Sequence, residues 1–88
     1  MTAHPLDLPD IRRIVHDAIE EVLPLVRERG IDEKMSLRQI GADSVDRVEI
    51  ITGLVHRLKL AVPISAFNDV PDIAALIALL HRQIRESA

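Results

Sequence analysis

Apolar residues recur at three- and four-residue steps in three separate stretches of the chain, and nowhere in strict alternation. Over residues 7–22 they fall at Ile11, Ile14, Val15, Ala18, Ile19 and Val22, while Arg12, Arg13, Asp17, Glu20 and Glu21 take the other side. This predicts an amphipathic helix. Pro9 stands in its first turn, where a missing N–H costs nothing, and Pro24 ends it near Val22. A second helix is predicted over 44–59, with Val48, Ile51, Leu54, Val55 and Leu58 inward and Ile50 widening the stripe. Gly53 inside it costs about 1 kcal/mol relative to alanine, which suggests a close helix crossing there. The last helix covers about 72–84, with Ile73, Leu76, Ile77, Leu80 and Ile84 inward. Before it, Pro63 breaks the chain, residues 64–67 suit a short helical turn, and Asn68-Asp69-Val70-Pro71 reads as a stop and restart, with Pro71 at an early helical position.

Residues 24–43 form a long connection broken at Gly30 and Gly41. Loops of this length in compact domains are held down by packing, and Leu25, Val26, Ile31, Met35, Leu37 and Ile40 are the expected anchors. The predicted fold is all-α: a small four-helix bundle with three longer helices, one short one and a long first loop.

Composition narrows the picture. Eighty-eight residues make one domain, 1–88, with a core over about 8–84. Hydrophobic residues make up 48% and aromatics 1%, Phe67 being the sole ring, so aliphatic packing must supply the stability. There is no cysteine, hence no disulfide, thiolate nucleophile or cysteine-based zinc site. Fourteen acidic against eleven basic residues give a charge of −3. With so few rings to stack on bases, this argues against nucleic acid as a partner. Residues 1–10 lack the apolar run of a signal peptide, and the longest apolar run, 73–80, falls well short of the roughly 20 residues a membrane span needs. A cytoplasmic, monomeric protein is expected, and Met1 and the short tails suggest an independent chain.

The chemistry concentrates in Ile40-Gly41-Ala42-Asp43-Ser44-Val45-Asp46-Arg47-Val48-Glu49-Ile50. Ser44 stands where a glycine-containing loop turns into the second helix, a position suited to a helix N-cap whose oxygen accepts from the Arg47 backbone N–H; loss of such a cap costs about 1 kcal/mol. Gly41 and Ala42 leave the approach to the hydroxyl uncluttered. Asp43 and Asp46 flank it with negative charge, and the first turn of a helix favours an attached anion.

Gly-Ala-Asp-Ser-hydrophobic-Asp, after one helix and a long loop and opening an aliphatic helix, resembles the phosphopantetheine attachment motif of acyl carrier proteins. The resemblance covers residues 8–84. Asp43 and Ser44 match the motif, Val45 stands where leucine is usual, and Glu49 matches an acidic helix position. It implies that a phosphopantetheinyl transferase moves phosphopantetheine from coenzyme A to the Ser44 oxygen in a magnesium-dependent reaction, and that the arm's thiol holds an acyl group as a thioester. The working sulfur is then imported, in keeping with a chain that lacks cysteine. The chain itself is expected to be no enzyme.

On the second helix Val45, Glu49, Thr52 and His56 share a stripe at steps of four, three and four. In the carriers it resembles, that stripe meets partner enzymes, with Val45 beside the arm and Asp46 and Glu49 drawing basic patches; the plain alternative is a solvated face. Fatty-acid carriers tend to end this helix in a dense acidic run, whereas Val55-His56-Arg57-Leu58-Lys59 stands here, pointing to polyketide-type specialised biosynthesis with acyltransferase or ketosynthase partners. The segment also resembles free-standing carriers of β-branching cassettes, which donate an acetyl-type unit to a hydroxymethylglutaryl-CoA-synthase-like enzyme, although Asp43 and Val48 depart from their usual asparagine and alanine. Two rival readings are an aminoacyl or peptidyl carrier of nonribosomal synthesis and an unmodified helical adaptor. His16 and Glu20, four apart, amount to half a metal site and read as a surface pair, so no metal is expected. His4 and His81 show no evident partner, and Ser36 and Ser65 read as loop and turn residues without the flanking acids of Ser44.

Overall fold

The computed structural model describes residues 6–87. They fold as helices α1 (Leu8–Val22), α2 (Val26–Arg29), α3 (Ser44–Arg57) and α4 (Ile73–Ser87), with a 3₁₀ turn, Ile64–Phe67, between the last two. No strand occurs among the described residues. The three long helices and the short turn stand where the periodicity puts them. The four-residue α2 is additional, formed inside what reads as continuous loop.

α1 is the element against which both α3 and α4 pack. It buries Ile11, Val15, Ala18 and Ile19, which meet Ile50, Ile51 and Leu54 of α3 and Ile73, Leu76, Ile77 and Leu80 of α4 in one aliphatic core. Phe67 seals the core from the 3₁₀ turn. At the end of α3 the Leu60 N–H donates to the Val55 carbonyl (3.0 Å) and the Lys59 N–H to that of His56 (3.2 Å). Lys59 takes a φ of +54° to close this turn, a role more often filled by glycine.

Four local expectations change. Leu25 is 65% exposed, because neighbouring positions of a helical turn lie about 100° apart and α2 turns Val26, not Leu25, into the core. Val48 is 52% exposed; the inward stripe of α3 runs through Ile50, Ile51 and Leu54 and leaves Val48 at its rim. Gly53 marks no close crossing, since a Cβ added there meets nothing within 4 Å. Pro71 precedes α4 rather than entering it, and Asp72 caps that helix by accepting from the Ala75 N–H at 2.7 Å.

The long loop is bound to α1 and to α4. Its Met35 and Glu33 carbonyls accept from the Ile73 and Ala74 N–H groups at 2.9 and 2.8 Å, satisfying donors that the start of any helix leaves without an internal partner. The Glu33 carboxylate reaches across to α1 and accepts from Arg12 Nε at 2.8 Å and pairs with His16 Nε2 at 2.7 Å. His16 therefore pairs with Glu33 rather than Glu20, which holds Arg27 at 3.2 Å. Among the described residues no group of three His, Asp or Glu side chains is placed to hold a metal ion. His4 lies outside the described residues.

Partial burial raises the Glu33 carboxyl pKa, but the hydrogen bonds from His16 and Arg12 and their charges outweigh it and hold the group below its usual 4.5. The folded-state value lies below the unfolded one. This latch therefore contributes fully above about pH 4.5 and is lost as pH falls through the lowered value. Urea unfolding across acid pH should show the wild type losing stability more steeply below that point than Glu33→Gln; parallel profiles would mean that the latch carries no such linkage.

Candidate functional site

The start of α3 is built by one inward and one outward turn of the chain. Gly41 adopts a φ of +113°, a conformation that side chains rarely tolerate, and the next N–H, of Ala42, donates to the Leu37 carbonyl at 3.0 Å. Ala42 is thereby driven into the core. Asp43 then caps the helix: its Oδ1 accepts from the Asp46 N–H at 2.8 Å, and Asp46 Oδ2 accepts from the Asp43 N–H at 3.2 Å. Such a reciprocal box satisfies two backbone donors at once.

Ser44 is the first helical residue, not the cap, and it is exposed. The Arg47 N–H donates to the Asp43 carbonyl at 2.9 Å, so the serine oxygen is not spent on the backbone. Its neighbour is the Arg47 guanidinium, whose Nη2 lies 3.4 Å from Ser44 Oγ. A guanidinium donates hydrogen bonds and takes no proton, and the flanking Asp43 and Asp46 each commit one carboxylate oxygen to the cap.

Of the predicted recognition stripe, Val45, Glu49, Thr52 and His56 are all exposed, Val45 to 64%. Asp46 is half-buried, with one carboxylate oxygen committed to the cap. Ser36 is tied down locally: its hydroxyl accepts from the Gln39 N–H at 3.1 Å and its N–H donates to the Gln39 side chain at 2.8 Å. Ser65 lies exposed in the 3₁₀ turn. Neither shares the exit from an ordered helix start that distinguishes Ser44.

An open groove of about 450 Å³ runs from Ser44 between α3, the 3₁₀ turn and the start of α4. Leu37, Val48, Ile51, Ile64, Phe67 and Leu76 give it apolar walls, and Arg38 and Arg47 stand in its lining. Sequence reading missed this groove and both arginines. The available signal for Arg47 was its position three residues after Ser44, which puts the two on one helix face; Arg38 and Ile64 come from distant segments and carry no local sign.

The chain matches the family of phosphopantetheine attachment sites over residues 13–80. It belongs to the acyl carrier proteins. It is also 32% identical over 82 residues to the polyketide biosynthesis acyl-carrier-protein AcpK of Bacillus subtilis (strain 168), spanning 93% of this chain and 100% of that protein. No solved structure gives a significant match. The cofactor of the family is phosphopantetheine, and the site suits it: a solvent-facing hydroxyl, a cation beside it for a phosphodiester, and a groove adjoining both. Among the described residues no helix is long and apolar enough to cross a membrane.

Because the box belongs to Asp43, the expected penalty at Ser44 moves one residue. Asp43→Ala should destabilise this carrier by about 1 kcal/mol, and Ser44→Ala should stay within about 0.5 kcal/mol of wild type, as for an ordinary surface change. Urea unfolding of both variants checks this; a larger loss at Ser44 than at Asp43 would return the cap to the serine.

Proposed function

We propose that Ser44 is the residue to which phosphopantetheine is attached, and that the chain is a discrete, single-domain carrier of acyl thioesters in polyketide-type biosynthesis. The observation that carries this reading is the hydroxyl itself, fixed at the first turn of α3, open to solvent and left out of the cap. A phosphopantetheinyl transferase supplies the general base that the site lacks. The Ser44 oxygen forms the new bond to phosphorus as coenzyme A gives up its nucleotide half, and the hydroxyl proton leaves to the transferase. When bound, the arm supplies a thiol that holds an acyl group as a thioester. The chain's own part is to present the serine, to shelter a short acyl chain in the neighbouring groove, and to offer Val45, Asp46, Glu49, Thr52 and His56 to partner enzymes. It acts as a cytoplasmic monomer with no catalytic step of its own.

Two features support a specialised pathway. The similar carrier AcpK is named for polyketide biosynthesis, and α3 ends in His56-Arg57, with Arg57 paired to Glu21 of α1, where an acidic run would suit a fatty-acid partner. Within that pathway, donation of an acetyl-type unit to a hydroxymethylglutaryl-CoA-synthase-like enzyme is the specific role proposed; acyltransferases or ketosynthases are the other partners.

Incubation with coenzyme A, magnesium and a promiscuous transferase should add the mass of one phosphopantetheine to the intact protein and none to Ser44→Ala. Retention of the gain in a folded Ser44→Ala protein would refute the site. The loaded carrier should then take an acetyl-type unit from an acyltransferase; charging by an adenylation enzyme with an amino acid instead would transfer the assignment to nonribosomal synthesis.

A further inference from the structure

Attaching a phosphodiester to Ser44 adds negative charge beside Asp43 and Asp46, with Glu49 one turn further along α3. Like charges this close repel, the more so where protein displaces water, and the capping box prevents Asp43 and Asp46 from swinging away. Something must offset the added anion, and Arg47 is placed to do so. Its Nη2 already stands 3.4 Å from Ser44 Oγ, and an oxygen on a phosphorus bonded to Oγ lies nearer the guanidinium than Oγ itself whenever it is turned towards it. The side chain is half-buried, one turn along the same helix, so its range is limited. Arg12, Arg27 and Arg57 are each committed to a glutamate. Among the described residues Arg47 has no such ion pair; its hydrogen bond goes to the neutral serine hydroxyl.

We infer that Arg47 is the positioning residue for the prosthetic arm: its guanidinium holds the phosphodiester on Ser44 and sets the arm's departure along the groove that Arg47 itself lines. Guanidinium suits this task because its forked donors match two oxygens of a phosphate. Arg38 lines the same groove from the loop and supplies an internal control of equal charge. The inference rests on Ser44 being the attachment point, and the two fail differently: without attachment no holo protein forms, whereas a holo protein indifferent to Arg47 overturns this inference alone.

The test compares apo and holo forms of wild type, Arg47→Gln, Arg47→Lys and Arg38→Gln, each first confirmed by intact mass. Subtracting apo from holo melting temperature cancels any effect of the substitution on folding itself. That difference should fall by about 2–4 °C in Arg47→Gln, the scale of one exposed charge pair in a domain of this size. It should fall less in Arg47→Lys, which keeps the charge without the fork, and least in Arg38→Gln. The Arg47 Nε–Hε resonance should shift between apo and holo wild type, and the phosphorus resonance of the arm should move in Arg47→Gln. Equal falls for Arg47→Gln and Arg38→Gln would reduce the effect to general charge and overturn the inference. So would an Arg47 resonance identical in the two forms.

Discussion

The architecture turns on the exchange at residues 41–43, where the chain must send one residue inward and its near neighbour outward within a few ångströms. Gly41 supplies a backbone conformation that side chains disfavour, Ala42 sinks into the core, and the Asp43–Asp46 box locks the first turn of α3. A buried methyl and a reciprocal cap together fix where Ser44 emerges. The position of the hydroxyl is therefore a consequence of core packing and backbone hydrogen bonding.

The same economy governs the loop before it. Twenty residues without a long helix would lose much conformational entropy on ordering, and they are held by three means: α2 coiling to bury Val26, the Glu33 and Met35 carbonyls closing the start of α4, and the Glu33 carboxylate fastened to Arg12 and His16. Because the loop and the start of α4 also wall the groove beside Ser44, these bonds shape the site as well as the fold. Ser44 sits on the capped end of a helix, while the groove next to it is shaped by the loop and the 3₁₀ turn.

Much of this was legible in the residues. Helical spacing located α1, α3 and α4 because each buries one face on a shared aliphatic core, and the Pro63 and Asn68–Pro71 breaks located the 3₁₀ turn. Ser44 stood out because its neighbours on both sides are of the type that starts a helix. The same neighbourhood misled at finer grain: serine and aspartate are both good caps, and only the backbone angles and hydrogen bonds give the cap to Asp43. Leu25 and Val48 look like core residues by type, yet their exposure depends on which way α2 and α3 are turned against distant helices. His16 reads as a partner of Glu20 by helical spacing, but Glu33 arrives from another part of the chain. The groove and the pairing of Arg47 with Ser44 Oγ likewise need three-dimensional proximity that no local pattern carries.

The central claim is that this fold delivers one particular hydroxyl, that of Ser44, to a modifying enzyme in preference to Ser36 and Ser65. Trypsin separates them cleanly, since residues 39–47 form a peptide whose only serine is Ser44, while Ser36 and Ser65 fall in different peptides. Peptide mapping of the holo protein should place the phosphopantetheine mass on residues 39–47 alone. Its appearance on the peptide bearing Ser36 or Ser65 would contradict the account.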